Sequence, residues 1–139
     1  MSDLGAALIA FSAAILLVLG LIHLLYTFRG NKLFPRDADL AARMQVVSPV
    51  ISRETTMWKA WIGFNASHSY GAILFGTVYG YLALVQREFL FNSPFLLAIG
   101  ALLLAGYVFL GKRYWFSVPF RGIVIASVAY LCGLIAGGL

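Results

Sequence analysis

Apolar residues arrive in four long blocks separated by polar stretches, and this blocking, rather than any alternation, dominates the chain. The blocks cover residues 4–28, 57–85, 94–110 and 118–138, and a helix needs about 20 mostly apolar residues to cross a bilayer. In hydrocarbon every backbone N–H and C=O must be paired within its own segment, so each block is expected to be an α-helix. A transmembrane barrel would need segments of alternating polarity, and the sequence has none. The expected fold is all-α: one polytopic membrane domain, residues 1–139, of four transmembrane helices in an antiparallel bundle. The third block is the shortest, and Phe89, Leu90 and Phe91 just before it are expected in the interface. The first block has no basic leader and far exceeds the roughly 7 to 15 apolar residues of a secretory signal, so it is read as a mature span.

Residues 29–56 form the only long connection. Pro35 followed by Asp37 marks a helix start, and Leu40, Met44 and Val47 then fall at helical spacing on one side. This predicts a short amphipathic helix over 37–47, ended by Pro49 and lying on the cytoplasmic membrane surface with its basic residues near anionic headgroups. Ser52 is the expected N-cap of the second span, with Glu54 near the positive end of the helix dipole.

Composition agrees with the pattern. The chain is 62% hydrophobic and 11% charged, against about 45 to 50% apolar residues in soluble domains. A soluble domain of this length hides only roughly 70% of its unfolded surface, which would leave an oily exterior here, so lipid is the expected solvent. The formal charge of +5 does not point to nucleic acid, because eight of the ten Lys and Arg lie between the apolar blocks and the other two, Lys59 and Arg121, lie just inside the ends of blocks. Nine of them (Arg29, Lys32, Arg36, Arg43, Arg53, Lys59, Lys112, Arg113 and Arg121) fall on one side of the expected topology and only Arg87 on the other. Basic loops stay cytoplasmic, which predicts a multi-pass plasma-membrane protein with both termini non-cytoplasmic. Trp58, Trp61, Tyr114 and Trp115 cluster at that same basic side, as interfacial aromatics do. The single cysteine, Cys132, cannot form an internal disulfide and reads as a packing residue.

Intramembrane polar residues are costly and therefore the first place to look for chemistry. No Asp or Glu lies in any of the four blocks, so a carboxylate-driven proton exporter or a carboxylate-assisted metal site has no residue to carry it. The informative stretch is the cytoplasmic end of the second block. At roughly 100° per residue, Trp61, Asn65, His68, Ala72 and Tyr79 share one narrow stripe, setting an indole, an amide, an imidazole and a phenol on one wall. The alternative role for such a wall is interhelical hydrogen bonding, at about 0.6 to 2 kcal/mol per contact. A second stripe of small residues, Gly63, Ser67 and Gly71, continues into Gly76 and Gly80, a GxxxG spacing that lets another helix approach closely. Gly133 and Gly137 repeat the theme in the last block. His23 is the other imidazole. Counted at about 1.5 Å per residue from the ends of their blocks, His23 and His68 differ in depth by about 8 Å, which argues against bis-histidine haem ligation. With two histidines and no carboxylate or thiolate beside them, no metal or cofactor is expected.

The run Gly63-Phe64-Asn65-Ala66-Ser67-His68, preceded by Trp61 and followed by Gly71, resembles the W-x-G-F-N-x-S-H-x-x-G signature of a group of small uncharacterised bacterial four-helix membrane proteins. The resemblance covers about a dozen positions. It implies a bacterial inner-membrane protein and brings no substrate, reaction or cofactor.

Three functions are compatible with these residues. The first is binding of a lipophilic small molecule or lipid in an intramembrane pocket, with Asn65 and His68 on the polar head, Trp61, Phe64 and Tyr79 along the apolar part, and His23 closing the site. The second makes His68 a general acid or base on a lipid or isoprenoid, its tautomer set by Asn65 or Ser69. The third is structural: a subunit of a membrane complex, or a homo-oligomer, assembled through the glycine faces. A channel is less well served, since four helices enclose no wide pore and no ring of charges is available.

Overall fold

The computed structural model describes residues 3–138. These are all-α, 82% helical and without strands. The elements in chain order are α1 (Asp3–Phe28), α2 (Ala38–Val46), α3 (Met57–Val85), α4 (Arg87–Phe91), α5 (Pro94–Tyr114) and α6 (Ser117–Gly137). Three of them, α1, α5 and α6, are long and apolar enough to cross a membrane, and at most 28% of the most apolar stretch of each is buried. Their outward faces carry side chains such as Phe95, Leu102 and Ile135, each about 70% exposed. Apolar exposure on this scale suits a membrane and not water. Helix α3 is the longest, at 29 residues, but Asn65, Ser67, His68 and Ser69 dilute its apolar character.

Local chemistry sets the helix ends. The Asp37 carboxylate accepts the Leu40 N–H at 3.0 Å, so α2 starts at the predicted capping residue. Helix α3 starts at Met57, where its block begins, but is not capped as expected. Ser52 is not its cap; its hydroxyl accepts the Glu54 N–H two residues on, while Thr56 Oγ1 accepts the Lys59 N–H at 3.3 Å. A hydroxyl directly ahead of the helix serves the orphan N–H groups, whereas Ser52 closes a local turn. Helix α5 opens with Ser93 as N-cap and Pro94 in its first turn. It runs through Lys112 and Arg113 to Tyr114, four residues past the expected end, because basic side chains in a last turn complement the dipole and reach outward. Gly138, at φ +103°, ends α6 in the left-handed conformation. Phe89, Leu90 and Phe91, expected in the interface, form α4, and Leu90 is fully buried.

The chain divides into two compact units. The first comprises the described residues of Met1–Leu19 and Ala72–Leu139. Its core is built on Ile9, Leu16, Phe75, Tyr79, Leu97, Leu104 and Tyr130. Close helix approaches fix neighbours and directions. A Cβ on Gly76 would stand 2.5 Å from Leu17 Cβ and 2.7 Å from Ala13 O, so α3 lies directly against α1. A Cβ on Gly5 would meet Gly133 O and Gly137 N at 2.9 Å, and one on Gly122 would meet Leu19 at 3.0 Å, so α6 runs opposite to α1. Gly111 faces Phe120, and Gly100 faces Tyr130, between α5 and α6. Between apolar helices in lipid, this close fit replaces the hydrophobic effect as the cohesive force. Asp3 and Arg87 form an exposed ion pair.

The second unit is Gly20–Gly71: the end of α1, the connection with α2, and the first half of α3. It contains nearly all of the candidate site.

Candidate functional site

Helix α3 places its polar side chains by bonding them back to its own carbonyls, which satisfies them without water. Asn65 Nδ2 donates to Trp61 O at 2.8 Å, Ser69 Oγ to Asn65 O at 2.9 Å and Ser67 Oγ to Phe64 O at 3.0 Å. On α1, Thr27 Oγ1 likewise donates to His23 O at 2.8 Å. Ser69 and Thr27 are buried, while His23, Asn65 and His68 are half-buried.

The two helices meet through these groups. Asn65 Oδ1 lies 3.1 Å from His23 Nε2. Because Trp61 O can only accept, the Asn65 amide nitrogen must point toward it and the amide oxygen toward His23. His23 Nε2 is therefore the protonated nitrogen, and in the neutral ring Nδ1 is the acceptor. His68 sets its ring edge-on to His23, with centroids 5.4 Å apart and planes at 83°. The expected depth offset of about 8 Å between the two imidazoles is thus absent. The counting behind it assumed that α1 and α3 end level with one another. In fact the first turn of α3 projects beyond α1, since Trp61 Nε1 donates at 3.1 Å to Leu33 O, five residues past the end of that helix. Asn65 also orients His23, where the sequence suggested His68.

The other sequence-predicted residues divide. Trp61 joins the cluster through its carbonyl and is 43% exposed, whereas Phe64 is 75% exposed and points away from the chain. Tyr79 belongs to the other unit, where it is buried, stacks on Phe75 with centroids 4.5 Å apart and donates its hydroxyl to Leu96 O at 2.6 Å. Among the small residues, Gly76 is enclosed by α1 and Gly80 lies within ordinary contact distance of Ala13. Gly71 is half-buried, Ser67 is exposed, and nothing lies within 4 Å of a Cβ built on Gly63. Helix α6 has its glycines in contact: Gly133 meets Ile9, and Gly137 meets Phe91.

Beside the cluster is a groove of about 390 Å³ lined by Lys32, Leu33, Phe34, Pro35, Met44 and Trp61, within the range of small-molecule sites. The Trp61 indole forms one wall, and Phe34 packs on Trp58 with centroids 4.3 Å apart. Apart from Trp61, these residues were not singled out from the sequence. Their signal was slight: Met44 on the apolar side of α2, and an aromatic next to proline in the connection. Among the described residues, no three His, Cys, Asp or Glu side chains gather as a metal site.

The site is thus a pair of imidazoles and an amide, offering donors and acceptors next to a largely apolar groove. No family model, curated protein or solved structure matches this chain.

Proposed function

We propose that this chain is a bacterial inner-membrane protein of four spans in an antiparallel bundle, with both termini non-cytoplasmic, that binds the polar head of a lipophilic small molecule or lipid at His23, Asn65 and His68. Helix α3 supplies the fourth span: its 29 residues extend about 44 Å, more than the roughly 30 Å hydrocarbon core. The opposed directions of α1 against α6 and the pairing of α1 with α3 suit such a bundle. Orientation rests on nine of ten basic residues lying on one side.

The observation that carries the binding function is the convergence of His23, Asn65 and His68 from two helices. A half-buried set of donors and acceptors, with no carboxylate among them and an apolar groove beside it, suits an amphiphile with an uncharged polar head. Ligand extracted from protein purified out of its native membrane, and quantified by mass spectrometry, tests it. Wild type retains a lipophilic compound that His68→Ala and Asn65→Ala each lose while staying folded. Equal recovery from all three would sink the proposal.

One observation favours a second reading. Asn65 fixes the tautomer of His23, as an orienting group does for a general acid or base. On that reading a lipid or isoprenoid product formed by wild-type membranes disappears with His23→Gln. Unchanged product excludes catalysis by that ring.

A further inference from the structure

Residues 47–57 form a closed loop. Its neck is pinned by Met57 N–H donating to Val47 O at 2.8 Å, and its tip is a turn in which Ser52 N–H donates to Pro49 O at 3.3 Å. Glu54 N–H donating to Ser52 Oγ braces the far side. Val50 and Ile51 therefore occupy the two central positions of the turn. Those positions ordinarily hold Pro, Gly, Asn, Asp or Ser. Here they hold two branched aliphatic side chains, 110% and 93% exposed, the most exposed large apolar residues of the described chain. Nothing among the described residues covers them, and the pinned neck keeps them projecting.

The surroundings say what does cover them. Helix α2 buries no residue, and Leu40, Val46 and Val47 are all exposed. Exposed Arg36, Arg43, Arg53 and Lys59 lie on the same segment. Residues 29–59 hold six basic side chains against three acidic ones, a net of three positive charges. Trp58 and Trp61, residues of the kind that settle at headgroup level, follow directly. An apolar tip on a segment of net positive charge matches an anionic bilayer surface, whose phosphates take the charges and whose acyl boundary takes the aliphatic groups.

We propose that the Val50 and Ile51 turn is a membrane-insertion tip, seated in the headgroup and acyl boundary of a leaflet rich in anionic phospholipid. This rests on the reading that the chain spans the bilayer, which brings residues 29–56 to its surface. The tip anchors the connection beside the Trp61 groove and makes its position depend on lipid charge.

The test attaches an environment-sensitive fluorophore at Val50→Cys in a Cys132→Ser background. The protein is reconstituted in vesicles of phosphatidylglycerol with phosphatidylcholine, or of phosphatidylcholine alone. Leu102→Cys, on an exposed face of α5, serves as the control for a spanning segment. Shallow spin-labelled lipid is expected to quench the Val50 probe several-fold more than aqueous iodide does, and more strongly with phosphatidylglycerol present. Adding Ile51→Asp is expected to abolish the lipid quenching. Iodide access at Val50 with lipid quenching at Leu102 overturns the insertion tip and leaves the spans intact. Shielding of Val50 from both quenchers indicates cover by protein and overturns it too, as does lipid quenching that survives Ile51→Asp, since the dye would then be inserting itself. Iodide access at both positions overturns the tip and the spans together.

Discussion

His23 on α1 and Asn65 on α3, forty-two residues apart in the chain, are joined by a 3.1 Å contact between ring Nε2 and amide oxygen. Both residues are half-buried, so each satisfies the other where access to water is reduced. The first prediction is a measurable coupling. Thermal unfolding in detergent of His23→Ala, Asn65→Ala and the double variant should give an interaction free energy of about 0.5 to 1.5 kcal/mol. Strictly additive single effects would show that the contact contributes nothing to holding α1 and α3 together.

Glycine spacing makes a prediction that differs along α3. A Cβ at position 76 would meet the α1 backbone, because Ala13 O lies only 2.7 Å away, and backbone cannot rotate aside. At position 63 the same atom meets nothing within 4 Å. Gly76→Ala should therefore destabilise the protein by about 1 to 3 kcal/mol, and Gly63→Ala should be neutral or slightly stabilising through helix propensity. The two midpoints of unfolding, compared in one detergent, decide it. Equal midpoints would mean that α1 is not where the packing places it.

These contrasts show what the sequence makes legible. The long helices are readable because lipid as solvent demands uninterrupted apolar length, and α2 is readable because Pro35 and Asp37 mark a start that Leu40, Met44 and Val47 follow at helical spacing. In the GxxxG spacing Gly76 lies against α1, whereas at Gly63, four-residue periodicity notwithstanding, a Cβ would meet nothing within 4 Å, and Ser67 is exposed. Period tells which residues share a face and not how far along that face a neighbour extends. The depth of His68 relative to His23 was misjudged for a related reason. It depends on how far α3 projects beyond α1, which is set by contacts across the connection, namely Trp61 to Leu33 O and Met57 to Val47 O. Tyr130, the largest fully buried side chain, was passed over because a lone phenol in an apolar span carries no periodic signal.

That tyrosine carries the third prediction. Tyr130 and Tyr79 donate their hydroxyls to Leu97 O and Leu96 O, consecutive carbonyls in the first turn of α5. Both rings can approach because residue 100 is glycine: a Cβ there would collide with the Tyr130 hydroxyl and lie 2.8 Å from Tyr79 Cε1. Tyr130→Phe should cost about 1 kcal/mol for one hydrogen bond. Gly100→Ala should cost more, because two rings must shift. Combining them should recover only part of the loss, since Tyr130 Cζ would still stand 2.7 Å from the new methyl group. Full recovery would place the strain in the hydroxyl alone.

The last prediction concerns a side-chain hydrogen bond between α3 and the start of the connection, Trp61 Nε1 to Leu33 O at 3.1 Å. Trp61→Phe keeps an aromatic wall on the groove but removes the donor. The turn closed by Phe34 N–H to Asn31 O then keeps only the packing of Phe34 on Trp58, and a segment with few buried contacts opens locally at little free-energy cost. Because the indole is 43% exposed, water replaces the lost bond in part, and global stability should barely change. Hydrogen exchange resolved by residue should therefore quicken at Asn31 through Phe34 and stay unchanged in α5 and α6. Faster exchange throughout the chain would mean that Trp61 supports the whole fold, and unchanged exchange at 31–34 would mean that the turn holds without it.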